Sequence, residues 1–215
     1  MERIKAVIFD LDGTLGNTVP LCVEAFKKSI EPLINRVVTE EEIIATFGPS
    51  EEGTIMALAP DSYEKGISSY LYFYEHLHKK CPKPFDGIIN LLNVLRSRQI
   101  RLAMVTGKGK YSTEISLRKF GITHFFEKIE TGHQSGPRKY EGIMAVLNFF
   151  DGINKNEIIY VGDAPSDIKA CKRVGISIVA AAWADTTEPE KLKELMPEQL
   201  FYNIIDFTNW ISSKI

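Results

Sequence analysis

No stretch of this chain is apolar for the length that a membrane span requires, so a lipid-crossing helix is not expected. Cysteine is scarce: Cys22, Cys81 and Cys171 are odd in number, far apart and without a Cys-x-x-Cys spacing, which speaks for reduced thiols and against a disulfide framework or a zinc site. An excess of one charge is also missing. With 26 Lys and Arg against 28 Asp and Glu the formal net charge is −2, which leaves no basic footprint for nucleic acid. Neither a GxxxxGKS/T loop nor a GxGxxG fingerprint occurs, so nucleotide-driven transfer has no support. Internal repeats and low-complexity segments are absent too. The first strand begins by about residue 4, too early for a cleaved leader, and a cytoplasmic location is the expectation. What is present is a globular composition, 215 residues with 44% hydrophobic and 25% charged, enough for one domain with a sizeable insertion.

The most informative stretch is residues 6–15, Ala-Val-Ile-Phe-Asp-Leu-Asp-Gly-Thr-Leu, where an apolar run of strand type ends in two acids, a glycine and a hydroxyl. Val7, Ile8 and Phe9 read as a strand buried on both faces, which has no structural use for Asp10 and Asp12 at its end. In an open α/β sheet the ligand crevice lies at the carboxyl ends of the strands. A carboxylate there can attack phosphorus as a nucleophile, and a second one two residues on can move the proton. Gly13 lets the backbone approach an anion, and Thr14 offers a hydroxyl to a phosphoryl oxygen. A strand followed by an Asp-Gly turn would use the same residues structurally. The complete pattern Asp10-Leu11-Asp12-Gly13-Thr14-Leu15 is more specific, and it resembles the signature of the haloacid dehalogenase-like hydrolases, chiefly phosphatases.

After Thr14 the pattern is helical for some seventy residues, with helices expected over 20–34, from Thr39 onward, from about Ser50 and over 62–80, ended by Pro82 and Pro84. From Phe85 helices alternate with strands: helix 86–97, strand 100–105, helix 113–120, a short strand within 125–130, helix 140–150, strand 157–161, helix 167–174 and strand 176–181. Such alternation implies a parallel sheet with helices on both faces. The fold class is therefore α/β, with a core of residues 1–16 and 84–215 and an all-helical insertion over residues 17–83. The family resemblance implies the same plan, a Rossmann-like core with a helical cap inserted between the first and second motifs.

Two further strand ends carry polar groups. Met104-Val105-Thr106-Gly107-Lys108 offers the Thr106 hydroxyl, backbone N–H groups at Gly107 and the Lys108 charge to a phosphoryl oxygen, although strand-Thr-Gly turns are also common for their own sake. Ile159-Tyr160-Val161-Gly162-Asp163 is followed on the next helical turn by Asp167. Two more carboxylates beside Asp10 and Asp12 need a cation, and magnesium, with its preference for hard oxygen ligands, suits them. These stretches resemble the second and fourth family motifs. The third, usually a Lys in Lys-Pro-x-Pro, is irregular here: the expected position falls on Gly136 or Pro137, leaving Arg138 or Lys139 to supply the cation.

The resemblance implies a magnesium-dependent phosphatase acting on a small phosphorylated metabolite. Asp10 would form an aspartyl-phosphate, Asp12 would carry the proton, and Thr106 with Lys139 or Arg138 would hold the phosphoryl oxygens. Asp10, Asp163 and the backbone carbonyl of Asp12 would bind the metal, supported by Asp167. Gly48 and Ser50, in the loop 48–50 of the insertion, are expected to face the crevice and contact the leaving group. A phosphomutase or a non-catalytic phosphate sensor would show the same motifs. Haloacid dehalogenation, which needs neither a metal nor a second acid, is disfavoured.

Overall fold

The computed structural model describes residues 3–215. Six parallel strands form one sheet in the order β3-β2-β1-β4-β5-β6, namely β1 (Ala6–Phe9), β2 (Arg101–Val105), β3 (Lys128–Glu130), β4 (Ile158–Gly162), β5 (Ser177–Ala181) and β6 (Gln199–Phe201). The first strand of the sequence is central, with Phe9 in register with Met104 of β2 and Val161 of β4. All of β1 is buried because alternate residues feed two cores. Val7 and Phe9 pack with α5 (Ile88–Ser97), α6 (Lys110–Phe120) and α10 (Ile204–Ser212). Ala6 and Ile8 pack on the other face with α7 (Lys139–Phe149), α8 (Pro165–Val174) and Leu192 of α9 (Pro189–Glu194).

Between β1 and α5 lie α1 (Val19–Ile34), α2 (Glu40–Ile44), α3 (Glu51–Leu58) and α4 (Tyr63–Leu77). These helices have a core of their own, built on Phe26, Ile30, Ile43, Ile55, Tyr70 and Tyr74 and touched from the sheet side by Ile115 of α6. The chain leaves the sheet near Gly16 and returns at Phe85, whose N–H donates to the Leu15 carbonyl at 3.0 Å, so the two crossings lie side by side. We assign residues 17–83 to the cap on this basis. Among the described residues no helix is long and apolar enough to cross a membrane.

Element ends differ from expectation where the backbone overrides side-chain patterning. α5 starts at Ile88, two residues later than the pattern predicts, because Gly87 sits at φ 95°. The expected strand within 125–130 is only Lys128–Glu130, preceded by a 3₁₀ turn at Thr123–Phe125. Beyond Ala181 the chain adds α9, the three-residue edge strand β6 and α10, which the residue pattern did not announce.

Candidate active site

Asp10 continues the sheet one residue beyond β1 through its N–H, which donates to the Val161 carbonyl at 2.9 Å. Its side chain is thereby fixed, buried, at the carboxyl edge of the sheet. One carboxylate oxygen accepts from the Leu11 N–H at 2.7 Å and the other from Lys139 Nζ at 2.5 Å. Lys139, the first residue of α7, also donates to Asp167 Oδ1 at 2.5 Å. Asp167 accepts in addition from the Tyr160 hydroxyl at 2.9 Å and from the Ala164 N–H at 3.0 Å, where it closes the first turn of α8. Its bonds are thus used to hold Lys139 and the start of α8 in place.

Asp163 follows β4 directly and accepts from the Thr14 hydroxyl at 3.1 Å. Gly13, at φ 73°, gives this carboxylate its space, since a Cβ there would collide with it. Asp10, Asp163 and Asp167 each present a carboxylate oxygen, and these oxygens lie within 4.8 Å of one another. Burial pushes the Asp10 carboxyl up to about 6 even though Lys139 pulls it down. Burial, followed by the charges of Asp10 and Asp167, drives Asp163 well above the ordinary carboxylate range. Burial opposes the charge on Lys139, yet the two acids hold its pKa above the ordinary value. The cluster is short of positive charge.

Asp12 stands apart from that cluster through its side chain. Its carboxylate accepts from the Thr18 hydroxyl at 2.5 Å and from Lys108 Nζ at 3.2 and 3.3 Å. Lys108 also lies 3.0 Å from Cys22 Sγ and 4.3 Å above the Tyr74 ring. Burial pushes the Cys22 thiol up to about 11, so its sulfur stays protonated beside the ammonium. Thr106 accepts the Lys108 N–H at 3.2 Å through its hydroxyl oxygen, leaving the hydroxyl proton for a ligand.

A cavity of about 570 Å³ joins these groups, walled on the sheet side by Asp10, Asp12, Thr106, Gly107, Lys108 and Asp163 and on the cap side by Gly48 and its neighbours. Four expected contacts do not reach it. Ser50 is buried and its hydroxyl bonds to Glu52 at 2.5 Å, so it serves the start of α3 rather than a ligand. Thr14 is fully buried and bonded to Asp163, and Gly13 makes room for that acid instead of facing an anion. Arg138 is an exposed N-cap residue of α7 with no bond to the site, so among the described residues the cation bonded to Asp10 is Lys139.

Thr18, Cys22, Tyr160 and Glu51 join the site without having been singled out in the sequence. Glu51 stands in the first turn of α3, and its buried carboxylate crosses from cap to core, accepting from the Gly109 N–H at 2.7 Å and the Ser112 hydroxyl at 2.5 Å. This explains why α6 starts at Lys110 rather than Thr113, since the acceptor at its first turn arrives through space. Glu51→Ala is expected to destabilise the fold by about 1–3 kcal/mol, the cost of leaving buried donors unpaired. Urea unfolding would measure the loss, and hydrogen exchange should quicken at the Gly109 amide; unchanged exchange there would refute the contact.

The pattern of the haloacid dehalogenase-like hydrolases matches residues 7–181, which spans both the cap and the sheet as far as β5. The chain belongs to this family. Pyrophosphatase PpaX of Bacillus pumilus is 30% identical over 185 residues, 85% of each chain. Pyrophosphatase PpaX of Halalkalibacterium halodurans is 26% identical over 217 residues, 99% of each chain. A crystal structure described as a predicted phosphoglycolate phosphatase from Haemophilus somnus has the same fold, with a TM-score of 0.80 at 22% identity, covering 98% of this chain and 99% of that one. The sheet order sets side by side the three strand ends that carry Asp10, Thr106 and Asp163.

Proposed function

We propose that this chain is a magnesium-dependent phosphatase that hydrolyses a small phosphorylated metabolite through an aspartyl-phosphate on Asp10. The observation that carries the reading is the different setting of two acids two residues apart. Asp10 is held rigidly by Leu11 and Lys139 at the floor of the cavity, whereas Asp12 sits half-buried between Thr18 and Lys108. Asp10 forms a bond to phosphorus as the ester P–O bond breaks, and the departing alcohol takes a proton from Asp12. Asp12, now ionised, removes a proton from the water that cleaves the aspartyl-phosphate to inorganic phosphate. Lys139 and the Thr106 hydroxyl hold the phosphoryl oxygens as charge shifts.

The donor set fits magnesium, because Asp10 and Asp163 bring hard oxygens into a cluster with too little positive charge. These two carboxylates and the backbone carbonyl of Asp12 would hold the ion, with Asp167 supporting them through Lys139. When bound, the ion neutralises charge on the phosphoryl group. The three unpaired thiols suit a cytoplasmic setting. Phosphate release from a panel of phosphomonoesters, with magnesium and with a chelator, tests the reading. Turnover is expected only with the metal, and a panel left intact with magnesium present would overturn it.

The raised carboxyls also set a pH dependence. Between its ordinary value of 3.8 and its folded value of about 6, Asp10 binds more protons in the folded than in the unfolded chain. Stability in chelator should therefore fall as pH rises through this window, and Asp163 acts in the same direction. A cation relieves the repulsion only once the acids ionise, so thermal stabilisation by magnesium should be larger at pH 7.5 than at pH 5, by melting curves at both. An equal shift at both pH values would contradict the assignment.

A further inference from the structure

If Asp12 gives its proton to the leaving group, as the proposed function holds, the walls around Asp12 define what that group can be. Asp12 is bonded to Thr18 and Lys108, with Cys22 close by, so an alcohol departing toward it enters the part of the cavity that the cap closes. The cap wall there is built from Val19, Phe26, Phe47, Pro49 and Tyr70. The Phe26 ring lies 4.4 Å from Tyr70 and 6.1 Å from Phe47, centroid to centroid, so two buried rings of the cap core back the exposed ring of Phe47. Phe47 stays 42% exposed although it lines the cavity, so apolar surface is left for a ligand to cover.

Charge points the same way. The lysine on this side, Lys108, has a side chain only 2% exposed and is already paired with Asp12. The cap's own carboxylate on the cavity wall is Glu51, and its bonds run to Gly109 and Ser112. A leaving group bearing a carboxylate or a second phosphate would meet apolar rings on this wall, with Lys108 already engaged by Asp12. The other cations of the cavity, Lys139, Lys169 and Arg173, belong to α7 and α8 of the sheet domain and not to the cap.

We infer that the substrate is a phosphomonoester of a neutral alcohol carrying an apolar, ring-sized group, which rests on Phe47, Pro49 and Val19 while its phosphoryl group sits on Asp10. Pyrophosphate and phosphoglycolate, the compounds in the relatives' names, are disfavoured by this wall. The test compares kcat/KM for benzyl phosphate, ethyl phosphate, phosphoglycolate and pyrophosphate with magnesium; the three esters share a primary alkyl oxygen, which limits differences in intrinsic reactivity. Benzyl phosphate should exceed phosphoglycolate and pyrophosphate by at least about tenfold, the factor expected from burying a ring. Phe47→Ala should narrow the benzyl-to-ethyl ratio about fivefold or more. A preference for either doubly anionic compound, or a ratio that Phe47→Ala leaves unmoved, would overturn the inference. Thermal shifts with benzylphosphonate and carboxymethylphosphonate separate it from the phosphatase reading. A selective shift with benzylphosphonate but no hydrolysis would sink that reading and support this one, whereas no selective shift and no hydrolysis would sink both.

Discussion

Asp10→Asn is expected to reduce phosphate release by on the order of 10⁴-fold or more, because the amide keeps the shape of the side chain but cannot form the bond to phosphorus. The structure also predicts what happens to stability, and the two results must be read together. In chelator at neutral pH the wild-type chain bears the cost of ionising a buried acid whose carboxyl is pushed up to about 6. The amide removes that cost while Lys139 keeps its second partner, Asp167. The melting temperature in chelator should therefore hold or rise, and the gain from added magnesium should shrink. An inactive variant that melts normally and has lost most of its magnesium response identifies Asp10 as both nucleophile and ligand. Substantial residual turnover in a homogeneous, folded sample would refute the nucleophile, and a full magnesium response would refute the ligand.

The strand ends were legible because burial leaves acids there nothing structural to do. The runs that became β1 and β4 are apolar on both faces, so Asp10 and Asp163 announced themselves by interrupting them. The bonds already satisfied inside the protein were not legible. Thr14 and Ser50 are polar residues near the crevice in sequence, yet their hydroxyls are taken by Asp163 and Glu52. Sequence spacing tells which groups are close and not which partners they have found. Glu51 shows the converse, since an acid in the first turn of a short helix gives no sign that it spans to a core loop. The last elements escaped for another reason. β6 has three residues at the edge of the sheet, too few to show a period of two.

The choice between Arg138 and Lys139 was open in sequence because the loop before α7 sets it, and no motif spacing could. The chain turns through a bridge between His133 and Gly136, with Gly136 at φ 147°, and α7 begins at Lys139. That start brings Lys139 Nζ between Asp10 and Asp167 and leaves Arg138 outside. Lys139→Met keeps the apolar stem and removes the charge, so two buried acids face each other without compensation. Removing one partner of a buried pair costs roughly 3–5 kcal/mol when the remaining charge cannot escape. Here it can escape by protonation, which fixes the pH signature. Without Lys139 the folded-state carboxyl of Asp10 moves further up, because the charge that lowers it is gone. The deficit relative to wild type should be largest at pH 8 and shrink toward pH 4, where Asp10 is protonated in both variants. Activity should fall by roughly 10²–10³-fold, the scale for one lost electrostatic contact to a reacting group. Arg138→Ala should change stability by no more than about 0.5 kcal/mol, as for other surface positions, and leave turnover near wild type. Denaturation curves at pH 4, 6 and 8 with parallel assays decide the matter. If Arg138→Ala proved the costlier change, the cation serving Asp10 would be the arginine, and the loop would take a different path when substrate is bound.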